Sequence, residues 1–190
     1  MMRRRRTREE TKQATRVALI AAGTTEFARH GFDVSLDAIC ARAKLTRGAF
    51  YVHFKDRDAL IVAVMQHVLG TFVTALTGPA ANLDLATSIR LFIMAVRSRA
   101  PVVSGGTGLR FHHVLEACRR SRAIGNAYRE VVATTRSLLV AAIARGRRDR
   151  DPEGLADLAI VIALGMLASG ELDLPLGLDR LERAMLDVLT

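Results

Sequence analysis

Val17, Ile20, Ala21, Thr24, Phe27 and Ala28 recur three and four positions apart, the period of an amphipathic helix rather than of a strand. That helix is predicted to begin near Thr7, where Thr7 and Glu10 form a T-x-x-E capping box, and to stop at Gly31 with Phe32 folding back on it. Leu36, Ile39, Cys40 and Ala43 then give one apolar face to a short second helix with Ser35 as its N-cap. Lys44-Leu45-Thr46 interrupts it, and Thr46 is placed to cap a third helix over Arg47–Phe54. Asp56 caps a longer fourth, whose inner stripe is Leu60, Ile61, Val64, Val68 and Phe72. A short helix, a tight turn and another short helix make a helix-turn-helix pattern.

After Thr77-Gly78-Pro79 the periodicity predicts helices near 84–99, 107–121, 123–146, 153–170 and 178–189. The breaks fall at Pro101 with the glycine stretch Ser104–Gly108, at Gly125, in the charged loop before Pro152, and at Asp173–Gly177. The pattern divides the chain into a small unit, 1–55, and a larger helical one, 56–190. The segment near 153–170 is apolar around most of its circumference, more than packing within one small subunit uses. Pairing it with 123–146 in a four-helix bundle between two copies buries the surplus; the alternative is a fully internal helix in a monomer. Its most apolar run, Leu158–Gly170, is short for a membrane span, so no membrane partner is expected.

Composition agrees with an all-α fold. Half the 190 residues are hydrophobic, tryptophan is absent and proline is rare. Charge adds a direction. Of the net +9, residues 1–55 carry +7, from twelve Lys or Arg against five Asp or Glu, and the other 135 residues carry +2. A basic excess confined to the unit that holds the helix-turn-helix points to an anionic partner. Cys40 and Cys118 are far apart and lack metal-ligand spacing, which fits reduced thiols in a cytoplasmic protein. No apolar signal core follows the basic start.

The third helix carries the chemistry. On a helical projection Phe50 and Phe54 fall together and can anchor it to its neighbours, with Gly48 and Val52 roughly opposite and Arg47 and Tyr51 on a flank. The outward side then offers a guanidinium that forks onto guanine or phosphate, a phenol, and a glycine that lets backbone approach a phosphate. Lys55 stands where a second phosphate contact is natural. These are the needs of a helix entering a major groove. The bland reading, that Tyr51 and His53 are half-buried polar aromatics of a helical core, leaves the other polar positions unexplained.

Phe27 through Leu60 resembles the DNA-binding domain of the tetracycline-repressor (TetR) family of transcription regulators. The resemblance rests on Phe27 with Gly31 and Phe32, the Ile39–Ala43 helix, Leu45-Thr46-Arg47-Gly48, and Tyr51-x-His53-Phe54 followed by Ala59-Leu60. Two positions depart from the family: Lys44 stands where glycine is usual, and Cys40 where alanine is commoner. The resemblance implies a three-helix helix-turn-helix DNA-binding domain followed by a larger helical ligand-binding and dimerisation domain. It implies a homodimer on double-stranded operator DNA, and a small-molecule effector that loosens the complex. Carried over, Ser35 and Thr46 hold phosphates, Arg47 and Gly48, with Ala49 beside them, meet base edges or backbone, Tyr51 and His53 contact phosphate or sugar, and Lys44 and Lys55 reach phosphate.

Elsewhere the chemistry is thinner. His112 and Glu116 share a helix face and Cys118 is near, but no third and fourth ligand can be named, so no metal is expected. The Ser104–Gly108 stretch lacks a phosphate-loop pattern and no strand precedes it. Phe72, Phe92, Met94, Arg97, Phe111, His112 and Leu115 are the candidates for an effector pocket, against ordinary core. No nucleophile–base pair is evident, so neither catalysis nor a cofactor is expected. The competing reading is a helical small-molecule-binding protein or enzyme with a degenerate helix-turn-helix.

Overall fold

The computed structural model describes residues 7–77, 84–98, 110–146 and 151–189, so the Arg3–Arg6 arm and the Ser104–Gly108 stretch lie outside the described residues. The described elements are all helices: α1 (Arg8–His30), α2 (Leu36–Ala43), α3 (Arg47–Tyr51), α4 (Arg57–Thr77), α5 (Leu85–Ser98), α6 (Phe111–Arg120), α7 (Arg122–Gly146), α8 (Pro152–Glu171) and α9 (Leu178–Leu189).

Local chemistry sets the helix ends. Thr7 Oγ1 accepts from Glu10 N at 3.2 Å while Glu10 Oε2 accepts from Thr7 N at 2.7 Å, a reciprocal capping box. Gly31, at φ +71°, donates to Phe27 O at 2.9 Å and ends α1, and Phe32 packs edge-on against Phe27 with ring centroids 5.0 Å apart. Lys44 adopts the left-handed conformation, φ 56° and ψ 40°, at the end of α2. That costs a side-chain-bearing residue about 1 kcal/mol, partly recovered as Leu45 N bonds Cys40 O at 2.9 Å.

Three details differ from the pattern of apolar positions. The buried seam of α1 is Leu19, Ala22, Gly23, Glu26 and Phe27, while Val17 and Ala21 face solvent. A glycine and a carboxylate occupy that seam, and neither registers as apolar. Gly23 lets α4 close in, since a Cβ there would lie 3.1 Å from Val64 and 3.3 Å from Leu60; Glu26 is buried because Arg42 binds it from α2. Second, α3 ends at Tyr51 rather than running to Phe54. The N–H groups of His53 and Phe54 both return to Phe50 O, at 2.9 and 3.0 Å, and the chain then turns so that Asp56 can cap α4 through Ala59 N at 2.8 Å. Third, Gly125 lies inside α7. The break is at Ser121, whose extended backbone ends α6 and whose Oγ accepts from Ile124 N at 3.4 Å.

Two cores result. The first joins Leu19, Phe27, Ile39, Phe50, Phe54, Leu60, Val64 and Met65 with Val114, Ala117 and Ile124, so α4 and the α6–α7 corner pack against the helix-turn-helix. The second gathers Ile89, Ile93, Ile143, Ala156, Ala159, Met166 and Met185 from α5, α7, α8 and α9. α4 lies against both α1 and α7. At 20 residues, α8 exceeds its apolar run and is long and apolar enough to cross a membrane by length and composition. Within the chain it buries Ala156, Ala159 and Met166 and leaves Leu158 and Val161 exposed, the latter at 66 %.

Candidate nucleic-acid interface

Phe50 (0 % exposed) and Phe54 (4 %) both reach the first core, their centroids 5.5 Å apart, so the two anchors hold although the helix between them is short. Arg47, Gly48, Tyr51, Val52 and Lys55 face solvent, and Tyr51, 54 % exposed as a residue, rests edge-on against Phe50.

Each candidate side chain sits in a defined setting. Ser35 Oγ accepts from Ala38 N and Thr46 Oγ1 from Ala49 N, both at 3.2 Å. These bonds use the oxygen and leave each hydroxyl proton able to donate to a phosphate. Arg47 Nε lies 3.5 Å from Asp37 Oδ1, and Lys55 Nζ 3.7 Å from Asp56 Oδ2. Both are exposed pairs worth about 0–1 kcal/mol, so either cation is readily given up to a stronger anion. The Arg47–Asp37 contact also sets the starts of α2 and α3 side by side. At Gly48 an added Cβ would meet only Thr46 Oγ1, at 3.7 Å. The protein itself therefore imposes no need for glycine there. Ala49 is half-buried and Lys44 exposed.

The structure adds two residues that the sequence reading passed over. His53 is held below the ordinary imidazole range first by partial burial, then by Lys12 and Arg16 of α1. Arg16 lays its guanidinium 4.8 Å from the centre of the Phe54 ring. The signal was available: Arg8, Lys12 and Arg16 are spaced four apart and lie on one face of α1.

The effector candidates are scattered. Met94 and Leu115 are exposed, Phe92 packs on the second core, and Phe111 is half-buried. The side chains of Phe72 and Arg97 lie outside the described residues. His112 is bound to Glu171 of α8, its Nδ1 2.5 Å from Oε2. Glu171 also accepts from the backbone N–H of His112 at 3.1 Å and from that of Phe111. No capping side chain of its own serves the start of α6, so this carboxylate caps it from α8. Among the described residues no cluster of three His, Cys, Asp or Glu is disposed to hold a metal. Burial pushes both free thiols, Cys40 and Cys118, up from their ordinary value, which disfavours the thiolate form.

A cavity of about 220 Å³ opens at the corner where the helix-turn-helix meets α6 and α7. His113 enters it from α6, facing Gly31 so closely that a Cβ on that glycine would lie 3.0 Å from Nε2. Burial, then His112 and Arg110, hold the His113 imidazole below its usual value.

Residues 19–64 match the family described as bacterial regulatory proteins, tetR family. No curated protein matches the chain. Among solved structures, the fold is similar to E. coli NemR in its reduced form, at TM-score 0.75 and 18 % identity over 93 % of this chain and 97 % of that one. It is similar to a TetR transcription regulator from Haloarcula marismortui at TM-score 0.72 and 18 % identity, covering 93 % and 97 %. It is also similar to SmeT in its complex with triclosan, at TM-score 0.64 and 25 % identity, covering 93 % and 90 %.

Proposed function

By its N-terminal domain the chain belongs to the bacterial regulatory proteins of the tetR family, and from that premise we propose a dimeric repressor that a small-molecule ligand releases from its operator. The observation that carries the proposal is the two-sided third helix: Phe50 and Phe54 sealed in the core, Arg47 and Tyr51 turned out. A helix-turn-helix decayed into a structural remnant has no reason to keep a guanidinium and a phenol exposed beside a glycine that the fold does not require.

In this reading residues 1–55 address DNA and 56–190 sense and dimerise, with α4 packed against both. Thr46 and Ser35 donate to phosphates, Tyr51, His53, Lys44 and Lys55 reach backbone, and Arg47 forks onto a base edge next to Gly48 and Ala49. Lys12 and Arg16 extend the phosphate track along α1. The exposed Leu158 and Val161 of α8, with α7, form the contact between two copies and set the two α3 helices about 34–36 Å apart. The bound small molecule of SmeT favours an effector here as well. Such an effector shifts the population only through a difference in affinity between the DNA-competent spacing and another.

A salt-titrated gel shift with the chain's own upstream DNA tests the proposal. Arg47→Ala is expected to relax sequence choice at one position by about 1–3 kcal/mol, and Lys55→Ala to weaken all sequences evenly and reduce the salt slope by about 1. Absence of a shift at low salt, or both variants binding as the parent does, overturns it.

A further inference from the structure

Three arginines crowd the corner where α6 ends and α7 begins: Arg119, Arg120 and Arg122, all exposed around the half-buried Ser121. Arg120 is engaged twice, by Asp33 Oδ1 at 2.8 Å and by Glu116 Oε1 at 2.9 Å. Among the described residues, Arg119 and Arg122 have neither an ion-pair nor a hydrogen-bond partner. Arg119 at least suits its place in the last turn of α6, where a cation answers the helix dipole. Arg122 does not. It is the first residue of α7, whose first turn holds no acidic side chain, and a cation at that end is disfavoured. The stability of the chain gives no reason for an arginine there, whereas an anionic partner outside the chain does.

The corner sits beside the turns that the proposed function assigns to DNA phosphates. Arg120 and Ser121 line the same cavity as Asp33, Arg57 and Asp58. Asp33 stands two residues before Ser35, and Arg57 two residues after Lys55. The corner therefore packs against both the turn before α2 and the turn before α4. Two residues of chain cover at most about 7 Å, so Ser35 is close to the carboxylate that ties down Arg120. A DNA strand held at Ser35 continues with one charge per ~3.4 Å of helix axis. The carboxylates nearby do not cancel the patch: Asp33 and Glu116 are answered by Arg120, and Asp58 is matched in sign by the adjoining Arg57.

From this we infer that Arg119 and Arg122 are DNA-contacting residues of the helical domain, binding backbone phosphates that flank those held by Ser35 and Lys55. The inference rests on the regulator reading and deepens it. The interface then runs off the helix-turn-helix onto the α6–α7 corner, so one stretch of duplex touches both units and fixes their relative position. An effector that moves this corner away from the helix-turn-helix loses those phosphate contacts, which is a difference in DNA affinity between two states of the kind that release requires.

The test is a salt titration of DNA binding by the full chain on its own upstream DNA, with Arg119→Gln, Arg122→Gln and, as a control for net charge, Arg145→Gln. Arg145 is exposed at the far end of α7, about 35 Å from Arg122. Each corner variant is expected to reduce the slope of log affinity against log salt by about 0.9, one phosphate contact, and the double corner variant by about twice that, with base preference unchanged. Arg145→Gln is expected to leave the slope as it is. Ethylation interference is expected to show phosphates that matter to the parent and no longer matter to the double variant, separate from those lost in Lys55→Ala. The melting temperature of Arg122→Gln is expected to hold or rise, since it removes a cation from the disfavoured end of α7. Unchanged slopes in both corner variants, an equal fall in Arg145→Gln, or an interference pattern identical to the parent's overturns the inference and leaves the regulator reading standing. A parent that binds no DNA at any salt overturns both.

Discussion

The two cores of this chain solve opposite problems. The first encloses Phe27, Phe50, Leu19, Ile39, Leu60, Met65 and Val64, each essentially sealed from water, and its exposed face is polar and cationic. The second is built on fewer large buried side chains, chiefly Ile93 and Ile143, and leaves the apolar Leu158 and Val161 of α8 in solvent. A unit that covers its own apolar surface and presents charge is ready for a charged partner. A unit that leaves apolar surface uncovered still has burial to gain from another apolar face. The contrast separates two kinds of recognition within one polypeptide, and each kind answers to a different mutation.

The largest effect is expected at the centre of the self-sufficient core. Phe50→Ala removes a fully buried ring that touches Phe54 and Tyr51, at a cost of about 3–5 kcal/mol, and takes the orientation of α3 with it. Denaturant unfolding is expected to show the loss and a gel shift to show no binding. A near-neutral outcome would mean that the first core is not the rigid member of the pair. Next comes Arg42→Ala. Glu26 is 8 % exposed at its side chain, paired to Arg42 and, at 3.8 Å, to His30. Stranding that carboxylate is expected to cost about 3 kcal/mol, the low end for a broken buried pair because Arg42 itself is 38 % exposed. Arg42→Ala combined with Glu26→Gln is expected to recover most of it by removing the charge; if the double variant is no better than the single, the pair is not what holds α1 to α2.

That pair marks the limit of what could be read from letters alone. The apolar period located nearly every helix, and the caps at Thr7, Ser35, Thr46 and Asp56 were legible because an N-cap is a local event: one side-chain oxygen and a backbone N–H two or three residues on. The left-handed turn at Lys44 was legible only through the family resemblance, which puts glycine at that position. The phase of α1 was not, because Glu26 and Gly23 become core residues only through Arg42 and α4, which are distant in sequence. Glu171 capping α6 from sixty residues away was illegible for the same reason. Of the interface, the outward Arg47 and Tyr51 followed from the two phenylalanine anchors, whereas Lys12 and Arg16 joined it only once α1 was laid beside His53. The corner cavity depends on three separate segments meeting, and nothing local announces it.

A smaller effect, of opposite sign, is expected at Gly48. The site is open, so an alanine there meets no atom closer than Thr46 Oγ1 at 3.7 Å, and exchanging a helical glycine for alanine stabilises by up to about 1 kcal/mol. Gly48→Ala is therefore expected to unfold at slightly higher denaturant and yet bind DNA less well, since the new methyl group stands where a backbone phosphate or base edge approaches. A variant that is both more stable and equally tight on DNA would remove Gly48 from the interface.

The smallest change in chain stability, and the sharpest test of the contrast, is expected at Val161. Its side chain is 66 % exposed in the single chain, so Val161→Asp disturbs little packing there and the helical content is expected to stay. Surface changes of this kind fall within about 0.5 kcal/mol. In a dimer joined through α8 the same carboxylate is buried opposite its symmetry mate, and like charges desolvated together are strongly unfavourable. Sedimentation of the parent is expected to give two chains per particle and of Val161→Asp one. The melting temperature of the parent is expected to rise with protein concentration, as a coupled assembly requires, and that of the variant to be flat. A monomeric parent, or a Val161→Asp variant that still pairs, places the contact elsewhere. In the first case the apolar face of α8 is left without the partner that its composition calls for, and the spacing of two recognition helices can no longer be set by that helix.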